Sequence, residues 1–212
     1  MVQLLLNIPA FVLATSLLAI VPGQGMAMVL RQSFIGGART ALLSVLGNST
    51  GLVTWGALSA LGLSAIFASN PMAYAVLKWC GVAFLVFLAI QTAFQMRKES
   101  GKFDFTGDLQ SNRTPGGLAA YRVGLFTNLT NVKAAVFAVA FLPVYVPSDF
   151  SLGWGIFILG VVWAAVSTFW YGLLISGVKR ASALLARPKV RRMLTGASAV
   201  GLLVLAAGLA FS

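Results

Sequence analysis

About six stretches of roughly twenty apolar residues, parted by short polar segments, take up most of this chain, and each is long enough to cross the hydrocarbon core of a bilayer as a helix. That pattern excludes an ordinary soluble fold. Of the 212 residues, 59% are hydrophobic and only 9% are charged, where a soluble domain carries about 25% charged residues. In lipid the backbone must satisfy its own hydrogen bonds, so the expected fold is an all-α integral membrane protein. It forms one transmembrane domain over residues 1–212.

The formal net charge of +11 would suit a nucleic-acid partner if the cations shared one face, but they alternate with the apolar stretches. Arg31 and Arg39 flank the first gap; Arg97, Lys98, Lys102, Arg113 and Arg122 the third; Lys179, Arg180, Arg187, Lys189, Arg191 and Arg192 the fifth. Only Lys78 and Lys133 lie elsewhere. Lys and Arg stay on the cytoplasmic side of a membrane, where they face anionic lipid. The expected partner is therefore the bilayer and not nucleic acid, with both termini external. The single cysteine, Cys80, and the absence of histidine leave no disulfide framework and no Cys/His metal site within one chain. Met1-Val2-Gln3-Leu4 lacks the basic start of a secretory signal, so the first stretch is expected to remain as a helix.

Along the chain, the first stretch (about 4–30) contains Pro22-Gly23-Gln24-Gly25, an expected helix break. Proline removes a donor, and glycine permits a turn or a close approach. A short loop is expected from Arg31 to Arg39, then apolar stretches over about 41–67 and 72–94. A polar cytosolic linker follows at about 96–118. The remaining stretches are about 119–146, 152–176 and 193–211. The linker divides the chain into halves of three spans, about 1–95 and 119–212. Three is odd, so the second half enters the membrane from the opposite side, giving inverted topology.

Lys133 lies about 14 residues into the fourth stretch, roughly 21 Å along a continuous helix. A cation inside a membrane costs at least about 2.5–3.5 kcal/mol, so it either has a functional or paired role or snorkels to the outer face. All four acids, Glu99, Asp104, Asp108 and Asp149, fall outside the spans, so no built-in counter-ion is evident and a substrate carboxylate could supply the charge. In the second stretch Gly47 and Gly51 are a small-xxx-small pair expected at a helix contact. Asn48 and Thr50 beside them are candidates for a polar cavity wall. Gly101-Lys102 lacks the earlier glycine of a phosphate loop, and no nucleophile stands beside a base; the chain reads as neither an ATP-driven pump nor an enzyme, and no cofactor is implied.

Val21-Pro22-Gly23-Gln24-Gly25-Met26, then Leu77-Lys78-Trp79-Cys80-Gly81, then Phe126-Thr127-Asn128-Leu129-Thr130-Asn131-Val132-Lys133 with Phe141-Leu142-Pro143 after it, together resemble, in order, the motifs of the LysE/RhtB family of amino-acid exporters. The first looks like that family's Pro-Gly-Pro motif and the third like its Asn-Pro-Lys motif. Gln24 stands where the first motif has its second proline, and Val132 where the second has its proline.

The resemblance implies a secondary exporter in a bacterial inner membrane, in which Pro22, Gly23, Asn131 and Lys133 line or shape the path. On this reading helices one and four are broken around a midplane site. Lys133 attracts a substrate carboxylate, Asn131, Asn128 and Gln24 hydrogen-bond it, Asn48 completes the wall, and Pro22, Gly23 and Gly25 permit gating. A neutral amino acid or similar zwitterion is the expected substrate, with a proton or another ion as the coupling partner. The rival readings are a non-transporting membrane scaffold and a transporter of metals or other small solutes; homo-oligomerisation through Gly47, Gly51 or Gly153 is open.

Overall fold

The computed structural model describes residues 2–20, 23–69, 71–98, 115–178, 180, 184 and 187–211. The described residues are all-helical with no strand, as the composition dictates. The helices are α1 (Val2–Ile20), α2 (Gln24–Ser69), α3 (Pro71–Lys98), α4 (Gly117–Leu129), α5 (Val132–Val136), α6 (Leu152–Ser176) and α7 (Pro188–Phe211). From α5 the chain continues through a π-helical turn, Phe137–Phe141, and a 3₁₀ turn, Leu142–Tyr145. Most of the linker, residues 99–114, lies outside the described residues.

Three described helices are long and apolar enough to cross a membrane, α1, the 24–63 part of α2, and α6, or four when α4 and α5 count as one bent span. Among the described residues, then, three to four of the expected six spans meet that test. Helices also cover the third and sixth stretches, and the apolar runs among their described residues are Lys78–Gln91 and Arg192–Gly208.

The expected Arg31–Arg39 loop is also corrected. Residues 31–36 continue the helix, and the break is confined to Gly37 at φ 70°, ψ −170°. Left-handed φ is strained for side chains and easy for glycine, so one residue does what the sequence suggested a loop would do. The hydroxyls on either side of the break are satisfied within the helix: Ser33 Oγ donates to Val29 O at 2.8 Å and Thr40 Oγ1 to Gly36 O at 2.9 Å.

α2 packs along both α4 and α6, α3 packs along α7, and α1 rests on α6 and α7. Lipid supplies no hydrophobic drive between helices, so close backbone packing and interhelical hydrogen bonds must do it. Gly47 lets the Tyr121 carbonyl into the space of a β-carbon, and Gly124 does the same for the Ser44 carbonyl. Ser44 Oγ donates across this contact to Ala120 O at 2.9 Å. On the other side of α2, a β-carbon on either Gly56 or Gly160 would lie 3.0 Å from the other's Cα. Ser49 and Thr168 hydroxyls share a 2.6 Å hydrogen bond along the same α2/α6 seam.

Two apolar clusters result. One joins Phe11, Phe137, Phe141 and Trp163, with Phe137 at ring-centroid distances of 4.6 Å from Phe141 and 4.7 Å from Trp163. Such aromatic pairs are worth about 0.5–1.5 kcal/mol each beyond their burial. The other cluster joins Met26, Val29, Leu30, Val45 and Tyr171.

Candidate functional site

Between the two clusters lies a cavity of about 340 Å³ whose wall includes Leu18, Leu52, Trp163 and Leu202 from the first and Tyr171 from the second. Its polar wall is built at two chain interruptions. The first separates α1 from α2: Ile20 ends one helix, Gly23 lies between, and Ala27 N donates to Gly23 O at 2.9 Å to start the next. Val21 and Pro22 lie outside the described residues. Gly23, Gln24 and Gly25, at the start of α2, all line the cavity.

The second interruption bends the chain by 58° between α4 and α5. Thr130 ends α4 at φ −90°, ψ 0°, and Asn131 caps α5, its side-chain oxygen accepting from Lys133 N at 3.1 Å. An N-cap of this kind satisfies a first-turn donor and contributes about 1 kcal/mol. Expected helix four is therefore broken here although Val132 replaces the proline. The estimate of Lys133's depth on a continuous helix is corrected accordingly, since Lys133 is the second residue of a new helix and lines the cavity half-buried.

First-turn N–H groups have no partner inside their own helix and carry the positive end of the helix dipole. Both α2 and α5 begin at this cavity, and Lys133 adds a full charge. No carboxylate is among the cavity's lining residues. Asp149, the one acid among the described residues, is exposed in the turn before α6. The chemistry the arrangement offers is reception of an anionic group, with amide side chains beside it.

Asn48 and Asn128 form the buried amide pair of the wall, each 3% exposed, with Asn128 Nδ2 donating to Asn48 Oδ1 at 3.2 Å. Asn128 is further fixed through its backbone carbonyl, which accepts from Asn131 N at 2.9 Å and from Trp55 Nε1 at 3.3 Å. Its Oδ1 is buried and has no hydrogen-bond partner. A buried unpaired carbonyl costs about 1–3 kcal/mol, and this one lies against Gly51, where a β-carbon would come within 2.8 Å of it.

The structure thus gathers Lys133, Asn131, Asn128, Gln24, Asn48, Gly23 and Gly25 around one space. Two expectations change. Gly25 is not part of a break but lies inside the first turn of α2, where its missing side chain admits the Tyr171 hydroxyl. Thr50 is no cavity wall; it is exposed and accepts from Tyr121 OH at 3.0 Å.

The sequence reading did not single out Gln91, Trp163, Ser167 or Tyr171 for this cavity, yet all four line it. The last three recur every four residues on one face of α6, a spacing that marks a common helix face. Gln91 is a neutral amide in an otherwise apolar part of α3.

A family model described as LysE type translocator matches residues 16–212. Among curated proteins, the homoserine/homoserine lactone efflux protein of Salmonella typhimurium is 33% identical over 137 residues, covering 65% of this chain and 63% of the relative. The chain therefore aligns with a little under two thirds of that relative's length. The membrane protein YrhP of Bacillus subtilis is 22% identical over 170 residues, covering 78% of this chain and 80% of the relative. No solved structure matches. With a match that begins inside α1 and runs to residue 212, the chain belongs to the family of LysE type translocators.

Proposed function

We propose that this membrane protein is a secondary exporter that carries amino-acid-like zwitterions from the cytosol to the exterior of a bacterial plasma membrane. The observation that carries the reading is the meeting of Lys133 with the N-termini of α2 and α5 at one polar cavity. Broken helices whose positive ends face an anionic group are a recurring construction in secondary transporters. Lys133 and the first-turn amides receive the substrate carboxylate. The amide oxygens of Gln24 and Gln91 accept from the substrate ammonium, beside the paired amides of Asn48 and Asn128. A substrate with a cationic side chain finds no carboxylate on this wall, so neutral amino acids fit best. The efflux of homoserine and its lactone named for the Salmonella relative falls in that class.

The transport cycle on this reading uses two inverted halves, residues about 1–95 and 119–212, with both termini external and a proton or another ion as the driving partner. The reciprocal Gly56–Gly160 contact, which joins the middle helix of each half, supports that arrangement. Proteoliposomes preloaded with labelled homoserine test the function. Efflux that rises with an imposed pH gradient is expected. Efflux indifferent to the gradient removes proton coupling, and retention of homoserine, threonine and other neutral amino acids alike overturns the exporter reading.

A further inference from the structure

Two more cavities lie on the seam between α1 and α7, and they share walls with the central one in sequence. The first is a narrow space of about 40 Å³ bounded by Leu17, Leu18, Gly201, Leu202 and Leu205. Leu18 and Leu202 also line the central cavity. The second, about 430 Å³, is an open-sided chamber: Leu17 and Leu205 bound its inner side, it extends past Tyr145 to Asn7, and its Leu13 and Val204 are exposed. The three spaces therefore follow one another along the seam, parted first by Leu18 and Leu202 and then by Leu17 and Leu205, all apolar.

From Leu18 to Asn7 is 11 residues of α1, about 16 Å of helix rise. This brings the chamber to the end of α1 near the chain's N-terminus. α7 reaches the same level at Gly208, which also lines the chamber. Apolar constrictions close to water and ions without any moving polar latch. Leu18 is 5% and Leu202 2% exposed, so both side chains are packed between the central cavity and the neck, and parting α1 from α7 is the simplest way to join the two spaces. Gly201 sits at its edge, where a β-carbon would lie 4.0 Å from the Leu17 side chain. A methyl therefore fits there at ordinary contact distance, and bulk added beyond it is directed into the neck.

We infer that the α1/α7 seam is the release route, with Leu18 and Leu202 as its outer gate and the chamber below Asn7 and Tyr145 as a second station for the departing zwitterion. The outer chamber is suited to that role by its mixed wall: Asn7 Nδ2 donates to the Tyr145 carbonyl at 3.1 Å, while the remaining surface is largely aliphatic. The inference rests on the exporter reading, and its test separates the two.

The test uses proteoliposomes or inverted and right-side-out vesicles containing the full chain with Cys80→Ser, and labelled homoserine as the probe. Into this parent a single Gly201→Cys is introduced, and a small charged methanethiosulfonate reagent is applied from the external face. Labelling from that face is expected. It should cut efflux by about tenfold or more, because a charged adduct occupies the neck, and reduction of the adduct should restore it. Gly201→Ala should export as the parent does, and Gly201→Phe should export slowly while homoserine binding to the detergent-solubilised protein is unchanged. Full modification of Gly201→Cys with undiminished efflux overturns the route, as does failure of the reagent to reach it from outside. A Cys80→Ser parent that moves no amino acid overturns the exporter reading instead.

Discussion

The hydroxyl of Tyr171 occupies the space in which a side chain on Gly25 would begin, and the ring Cζ stands 3.1 Å from that point. Tyr171 is 9% exposed and belongs to the apolar cluster at the start of α2, so the contact ties α6 to the first turn of α2 beside the cavity. Gly25→Ala should therefore displace either the ring or the helix start, at a cost of about 1–3 kcal/mol for an overfilled site. Tyr171→Phe removes the nearest atom and should return much of that loss. A double-mutant cycle on thermal stability in detergent measures the coupling; strict additivity of the two changes would show that the contact is not made.

Lys133 is the one full charge on the cavity wall. Lys133→Gln keeps a polar side chain and removes the charge. A hydrogen bond to a charged group is worth about 1.5–3 kcal/mol, so homoserine affinity should fall by roughly 10–100-fold with membrane abundance unchanged. Equilibrium binding on purified protein reads this directly, and an unaltered Kd would detach Lys133 from the carboxylate.

The α4/α5 break depends on Asn131 as a cap, with φ −82° and ψ 97°. Asn131→Ala should cost about 1 kcal/mol of stability, and Asn131→Asp should recover it. Val132 is the first helical residue after that cap, a position at which proline is favoured and the extended cap residue before it is compatible. Val132→Pro should leave the melting temperature unchanged or raise stability by about 0.4–1 kcal/mol. A clear drop in melting temperature would mean that the bend is not the one described.

Gly47 and Gly124 face backbone carbonyls, which cannot rotate away as a side chain can. Alanine at either should cost about 1–3 kcal/mol or more, with loss of folded protein. Gly62 and Gly208 have nothing within 4 Å of a β-carbon, and alanine there should stabilise by about 0.5–1 kcal/mol through backbone entropy. Melting temperatures of the four variants in one detergent separate the two groups.

How much of this was legible in the sequence depended on how unusual each residue is in an apolar chain. Lys133, Asn128, Asn131, Asn48 and Gln24 stood out because polar groups in lipid need a reason, and the structure sets all five on one cavity. Tyr171 and Trp163 did not stand out, since aromatics along a membrane helix also serve as interface anchors; Trp154 at 66% exposure and Trp163 at 3% show both uses within α6. Ser167 carries one small hydroxyl in a largely apolar helix, with no motif around it to mark it. The Arg31–Arg39 segment was misread as a loop because its charge spacing resembles a connection, while the backbone turns at Gly37 alone.

The bend between α4 and α5 is made by a side-chain cap and not by a proline ring, and this leaves the molecule with something a ring would remove. Val132 keeps its amide hydrogen, in the first turn of a helix that opens on the cavity. A relative with proline at that position has one fewer donor for the same anion. If substrate range varies within the family at this bend, the difference to look for is one main-chain hydrogen bond, which no side-chain alignment would display.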